Sequence, residues 1–345
     1  MPKKRINSFD VAKKAGVSRT TVSLVLNNVP GVSISEATRQ RVLKSAKTLN
    51  YYPDATGRKL VSGKSNTLGL VLRQSDAQVF ADALLPQVLL GIEQAVVTQG
   101  FQVLLKPLEP QDSAGYIRLI RENHVDGIIL SGPRQDDPEL VRLFKEGFPI
   151  VLMGQMTDGS LPFVDIDAVD GAARAVNHLI QQGHRRIAMI TNAALQYTSA
   201  QQRRTGYWRA LREAGISPDP SLLKEGSYTP LSGYEAMNEL LKLSPRPTAV
   251  FVASDVVALG AMQAIENTGA KIPEDIAVVG FDDIPLAEYY NPPLTTLRLP
   301  AYKLGWAVGE RLVHLIQGTD TTTGGVFLES ELIVRKSSMK QVMAS

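Results

Sequence analysis

None of the 345 residues is cysteine. Disulfides, thiolate nucleophiles and Cys-based metal sites are therefore excluded, and a reducing, cytoplasmic location is expected. Histidine is nearly as scarce: the four present are isolated, which leaves no cluster with metal-site spacing, so no metal is expected. No apolar run approaches the roughly eighteen residues of a membrane span, and the opening MPKKRINSFD lacks an apolar core of signal-peptide length. Gly-x-Gly-x-x-Gly and P-loop runs are missing, as is any visible nucleophile–base pair, so neither an enzyme nor a bound cofactor is expected. Low-complexity tracts are absent too, the nearest being the short polar stretch TDTTTGG at 319–325.

What is present is unevenly distributed. Residues 1–66 hold 13 Lys and Arg against three acids, Asp10, Glu36 and Asp54, a net of +10. The whole chain is only +3, so the remainder carries −7. A small basic head on a mildly acidic body is the electrostatic footprint of a nucleic-acid binder.

Within that head, FDVAKKAGVSRTTVSLVLN (9–27) reads as two short helices around a tight turn. Ala12 and Ala15 offer a small packing face, Gly16 permits the positive φ of a sharp turn, and Val17 plugs it. Ser18 is placed to cap the second helix through the backbone N–H of Thr21. Val22, Val25 and Leu26 recur at helical spacing and face the core, leaving Arg19, Thr20, Ser23 and Leu24 outward. A hydroxyl-rich, basic N-terminal turn on a short helix suits a major groove, although any small αα-hairpin shares the pattern. Ser35 caps a third helix, 36–49, with Val42, Leu43, Ala46 and Leu49 packing back. Three helices in about fifty residues make a minimal domain.

The run 10–27, then Val32-Ser33, then Thr38-Arg39-Gln40-Arg41-Val42, then Leu49-Asn50-Tyr51-Tyr52-Pro53, resembles the head of the lactose-repressor/galactose-repressor (LacI/GalR) family. The resemblance covers nearly the whole chain. It implies a hinge helix after Tyr52 that orders on DNA and levers open the minor groove with a leucine, which Leu60 matches, with Arg58 the basic residue two before it. Gly57 stands where a small helix former is usual, and glycine costs about 0.8–1 kcal/mol against alanine within a helix. Operator ordering is therefore expected to be easily reversed.

From Thr67 short apolar runs alternate with helix-period stretches. Strands are expected at 68–72, 101–105, 127–130, 150–153, 187–190, 249–252, 276–280, 326–328 and 331–334, with helices between. Such alternation means parallel, doubly wound sheets, and its restart near 170 means two lobes with a cleft at the strand C-termini. The fold class expected is a small all-α helix-turn-helix head on an α/β two-lobed, periplasmic-binding-protein-like body. Because the resembled family crosses between lobes three times, the divisions are 1–52 (head), 53–66 (hinge), 67–168 with 299–326 (first lobe), 169–298 with 327–337 (second lobe) and 338–345 (tail).

In Val278–Asp283 (VVGFDD), two adjacent carboxylates follow a strand. They could form an acid–base pair, but neighbours in a strand-end loop usually diverge. The resemblance gives Asp282 the role of accepting hydrogen bonds from sugar hydroxyls, and makes Arg203, three before Gly206, the effector-binding arginine, whose planar fork suits vicinal hydroxyls. Arg204 reads as a solvated helix charge. Tyr228 matches a position where the family often lays a ring over the ligand. Ser254 replaces a commoner asparagine, and Asp255 is expected to cap the next helix. Phe80 and Asp82, in a long loop after the first strand, and Ser131, after the third, are expected at the cleft mouth. His184, in a helix-to-strand connection, reads as structural.

On the DNA side, Arg19 and Thr20 should meet base edges, arginine preferring guanine. Leu24 stands where relatives often carry arginine and can touch only a thymine methyl, so the half-site should depart from the common pattern at one base pair. Thr21, Ser23, Asn27 and Ser33 are polar and suited to phosphate contacts, which position without specifying, and Ser18, the cap of the second helix, is expected at the DNA face with them. One head buries little surface, so a homodimer on a palindromic operator is expected, and the short polar end argues against a tetramer. The expected function is a transcriptional regulator, most simply a repressor, controlled by a small effector of the sugar class. A solute-binding protein or a sugar-modifying enzyme on the same body are the alternatives.

Overall fold

The structure is a computed structural model. It describes residues 6–27, 31–52, 63–109, 112, 115–134, 137–156, 159, 161–320, 322 and 324–339. The hinge residues Gly57, Arg58 and Leu60 lie outside the described residues. The chain divides into two compact units, 1–65 and 66–345.

In chain order the helices are α1 (Ser8–Ala15), α2 (Arg19–Leu26), α3 (Glu36–Thr48), α4 (Asp76–Ala81), α5 (Leu85–Val97), α6 (Gly115–Arg121), α7 (Pro138–Lys145), α8 (Ala168–Gln181), α9 (Thr198–Glu213), α10 (Pro230–Leu241), α11 (Asp255–Asn267) and α12 (Ala301–Gln317). The first three make the small unit. Asn7 and Asp10 form a reciprocal capping box on α1, which ends at Gly16 with φ 66°. Val11, Ala12, Ala15, Val22, Val25, Val42 and Ala46 form the buried core, with Val17, Leu26 and Leu49 packed against it. Leu43 departs from expectation and is 42% exposed. The inward face of α3 is Val42, Ser45, Ala46 and Leu49, and Leu43 is rotated about 100° from Val42 on a 3.6-residue helix.

The large unit holds two six-stranded sheets. The first takes β1 (Thr67–Leu72), β2 (Gln102–Pro107), β3 (Gly127–Ser131), β4 (Ile150–Met153) and β5 (Phe163–Ile166), the second β6 (Ile187–Ile190), β7 (Leu223–Lys224), β8 (Ala249–Val252), β9 (Ala277–Asp282) and β10 (Thr295–Arg298). The last strands, β11 (Gly325–Leu328) and β12 (Glu331–Ile333), go one to each. Spatial orders are β11-β5-β4-β3-β1-β2 and β12-β10-β9-β8-β6-β7. All pairings are parallel except β10 with β12. Leu68, Leu70 and Leu72 of β1 enter one core and Val71 another, as a sheet covered on both faces requires.

The late helix α12 returns to the first lobe and lies against α5. The two axes approach closely because both carry glycine at the crossing: a Cβ on Gly91 would collide with the Tyr302 carbonyl oxygen, and one on Gly305 with that of Val88.

Several expectations change. Strand β11 pairs with β5 over its whole length, so the first lobe's last segment ends at Leu328, and a division at 326 cuts through a strand. Strands β5 (FVDI) and β10 (TTLR) escaped notice because polar side chains interrupt them, whereas the equally short β4, β6 and β8 are unbroken apolar runs; β7, two residues long, was also missed. Ser338, placed in a polar tail, is fully buried, and its hydroxyl meets His178 Nε2 at 2.8 Å and Thr295 Oγ1 at 2.7 Å.

Candidate functional site

The C-terminal ends of the parallel strands of both sheets open on one cavity of about 190 Å³. The first lobe supplies Arg73 and Gln74 after β1, Ser131 at the end of β3 and Asp165 of β5. The second supplies Asn192 after β6, Arg203 from α9, Tyr228, Ser254 after β8 and Asp282 at the end of β9. The lobes are tied across the cavity. Tyr197 Oη donates to the Arg73 carbonyl at 3.1 Å, Thr198 Oγ1 to that of Pro133 at 3.2 Å, and Gln78 Nε2 to that of Ser227 at 3.2 Å.

Asp282 and Asp283 sit at φ 123° and 54°, backbone conformations that non-glycine residues enter at a cost of roughly 1–3 kcal/mol each. The result is divergence. Asp283 turns to Arg298 Nε at 2.7 Å and Arg335 Nη1 at 2.8 Å, a structural ion pair, whereas Asp282 turns into the cavity with Arg203 Nη2 at 3.6 Å. Arg203 is fixed by a hydrogen bond to the Ala253 carbonyl and lies 3.8 Å over the Phe281 ring. Burial pushes Asp282 up to about 6, opposed by the Arg203 charge. Asp165 is likewise pushed up to about 6 by burial, opposed by the Ile166 N–H and the Gln155 amide. Burial also raises Asp82. Tyr228, at φ 56° and edge-on to Tyr197 with centroids 6.1 Å apart, is pushed up to about 12 by burial.

In the small unit, Ser18 Oγ accepts from the Thr21 N–H at 3.0 Å and caps α2. Arg19 Nε donates to Ser8 Oγ at 3.3 Å, which directs the guanidinium along the entry of α1. Arg19, Thr20 and Ser33 are exposed, and Thr21, Ser23 and Leu24 half-buried. Asn27 closes α2 and donates from Nδ2 to Ser23 Oγ at 3.1 Å, so these two polar groups hold each other.

Residues 9–54 match the family described as bacterial regulatory proteins, lacI family, and residues 176–338 match a periplasmic binding protein-like domain. The chain is 36% identical over 334 residues to the HTH-type transcriptional regulator CelR of Thermobifida fusca, across 95% of this chain and 96% of that one. The chain belongs to the LacI family. Among solved structures this LacI-family regulator is similar to the CelR–cellobiose complex, with TM-score 0.75 and 35% identity over 96% of this chain and 100% of that chain. It is also similar to the lac repressor dimer bound to operator and the anti-inducer ONPF, with TM-score 0.84 and 29% identity over 97% and 100%.

Of the cleft residues expected from sequence, the regulator brings Asp82, Ser131, Arg203, Tyr228, Ser254 and Asp282 together around one cavity. Phe80 is not among them. It lies on the short helix α4, unforeseen in what read as a loop, and points outward with 74% of its surface exposed. Asp255 does not cap α11. Its buried carboxylate accepts from the Ile284 N–H at 3.0 Å and the Thr296 hydroxyl at 2.7 Å, and so ties β10 and the β9 loop to α11. Arg204 lies 4.6 Å over the Trp208 ring instead of standing free in solvent.

The polar cleft residues missed include Arg73, Gln74, Gln78, Asp165, Asn192 and Gln202. Gln74 and Asn192 each stand two residues beyond an apolar strand end, a signal that strand-end reasoning could have used. Asp165 was hidden because β5 itself was. No helix among the described residues is long and apolar enough to cross a membrane. Among the same residues no cluster of His, Asp and Glu could hold a metal ion.

Proposed function

We propose that this regulator is a repressor that binds a palindromic operator as a homodimer, and that a small polyhydroxylated effector in the cleft changes its grip on DNA. The carrying observation is the state of the cleft's polar atoms. Gln74 Oε1, Asn192 Oδ1 and Arg203 Nε are buried and have no protein hydrogen-bond partner among the described residues. Buried polar groups left unpaired cost about 1–3 kcal/mol each, so a ligand rich in donors and acceptors gains by meeting them. Donors and acceptors come from both lobes, so such a ligand binds the closed arrangement better than an open one, which is what allosteric control requires. CelR, in complex with cellobiose, and the lac repressor, bound to operator as a dimer, support both halves of the reading.

On the DNA face, Arg19 and Thr20 reach base edges, and Ser18, Thr21, Ser23, Asn27 and Ser33 serve the phosphate backbone, some through backbone N–H groups that their side chains orient. Duplex selection by the full-length protein, with and without a panel of sugars, tests the whole. A palindrome recovered without sugar and lost with one is the expected result. A palindrome recovered only with ligand would replace induction by corepression, and no enriched sequence even at low salt would refute the proposal.

A further inference from the structure

The cleft's acidic and basic side chains do not balance. Two Arg and three Asp line it: Arg73, Asp82, Asp165, Arg203 and Asp282. Arg73 is already committed outside the cavity, in a buried ion pair with Asp137, whose other oxygen accepts from Tyr116 Oη at 2.7 Å. One guanidinium, Arg203, therefore faces three carboxylates. It is itself half-spent on the Ala253 carbonyl and the Phe281 ring.

The excess is arranged across the cleft. Asp82 and Asp165 come from the first lobe and Asp282 from the second. Asp82 accepts from the Leu84 N–H at 2.8 Å, and Asp165 from the Ile166 N–H at 2.8 Å and Gln155 Nε2 at 3.2 Å. Neither has an ion-pair partner among the described residues. Asp282 feels the Asp82 charge as a repulsion from the opposite wall. The direct lobe–lobe hydrogen bonds offset part of the repulsion between two acidic walls, a ligand that donates hydrogen bonds to both offsets more, and an anion placed there meets like charge on each side.

We propose that the cleft takes an uncharged, hydroxyl-rich glycoside and rejects its carboxylated or phosphorylated derivatives, with Asp165 and Asp82 of the first lobe as the residues that set this choice. The proposal rests on the reading of the cleft as an effector site and narrows the ligand to one charge class. The ligand's hydroxyls donate to Asp165 and Asp82 on one side and to Asp282 on the other, while Arg203 donates to a ring or hydroxyl oxygen. This makes Asp165 a specificity residue, because Asp165→Asn is nearly isosteric: it removes the charge that repels an anion while keeping one amide oxygen to accept a hydrogen bond.

The test uses calorimetry on the full-length protein at pH 7.5 with ring-preserving pairs: glucose against glucose 6-phosphate and glucuronate, and cellobiose against its C6-oxidised uronate. The uncharged member is expected to bind at least about tenfold more tightly, and Asp165→Asn or Asp82→Asn to shrink that ratio about tenfold by admitting the anion. An anionic member binding as tightly as its neutral partner in the wild type overturns the proposal, as does a ratio that neither variant moves.

If no probe binds, the effector reading fails for these sugars, and the charge excess is then read without ligand from thermal unfolding against pH. The folded-state value of Asp165, about 6, lies above its ordinary 3.8. Its protonated form therefore stabilises the fold at low pH, and that stabilisation is lost as pH rises through that window. Asp165→Asn should lose less stability than the wild type across it. Superimposable profiles overturn the proposal.

Discussion

In the three-helix unit most of the outward polar side chains of α2 are held by close neighbours in the chain, and Arg19 reaches no farther than Ser8, eleven residues back. Ser18 is bound to Thr21 three residues on, and Asn27 to Ser23 four back. In the two-lobed unit the cleft is held by partners far away in sequence: Tyr197 and Arg73 are 124 residues apart, Gln78 and Ser227 149. The cores differ in the same sense. Small residues such as Ala12, Ala15 and Ala46 serve the head, whereas the body buries Tyr116, Tyr207, Phe251 and Phe281 completely. A surface built from i to i+4 contacts can change one side chain at a time without disturbing the rest. A cavity built from long-range contacts exists only when the whole fold does. Recognition of DNA and recognition of the effector thus rest on different margins of stability within one chain.

The sharpest way to separate the two is Arg203→Ala. A hydrogen bond to a charged group contributes about 1.5–3 kcal/mol, so effector affinity should fall roughly ten- to a hundredfold while operator affinity without effector stays within a few-fold. Titrating operator release with effector checks this, and a parallel loss of operator binding would mean that the units are not separable. Val42→Ala addresses the head alone. Removing two methyl groups from a core this small should cost about 2 kcal/mol, lowering a head-specific unfolding transition and leaving that of the body in place. A single shifted transition in calorimetry would break the comparison.

Leu24→Arg tests whether the head's face is as modular as its contacts imply. It should redirect the selected half-site at one base pair, worth about 1–3 kcal/mol of discrimination, with no change in the effector response. Recovery of the same operator would refute it. Ser18→Ala removes one cap and should cost about 1 kcal/mol of head stability, measurable by thermal unfolding, while Ser18→Asp retains it. The smallest effect is expected in the hinge, where Gly57→Ala gains about 0.8–1 kcal/mol of helix propensity. Operator binding should tighten by a few-fold and release by effector should be blunted. Unchanged values for both would refute the expectation that a helix forms through Gly57 on the operator.

What could be read from the sequence followed the same division. The head was legible almost to the residue, because capping, a left-handed glycine and helical spacing are local and leave local traces. Leu43 misled, being apolar on a face turned to water, and the first helix, read as opening at Asp10, begins at Ser8 under an Asn7–Asp10 capping box that was not foreseen. In the body the long strands and helices showed, since apolar runs and 3.6-residue periods survive any context. The second-lobe wall was found through the family resemblance, which marks Arg203, Tyr228, Ser254 and Asp282. The first-lobe wall was largely missed. Asp165 sits in a four-residue strand with no periodicity to betray it, and the loop that promised Phe80 folds into a helix that turns the ring outward. Asp255 read as a helix cap because it follows a strand and opens a helix, yet its carboxylate serves Ile284 and Thr296, which no local pattern could reveal.

The path of the chain has a consequence for its synthesis. The first lobe is begun first but lacks its edge strand β11 and the helix α12 that covers α5 until more than 320 residues have been made. The second lobe waits longer still for β12 and for the buried hydroxyls of Ser337 and Ser338. During translation the apolar face of α5, with Val88, Ile92 and Val96, emerges long before its cover and stays exposed to other chains and to chaperones. A ribosome stalled near residue 300 would therefore carry two unfinished lobes at once.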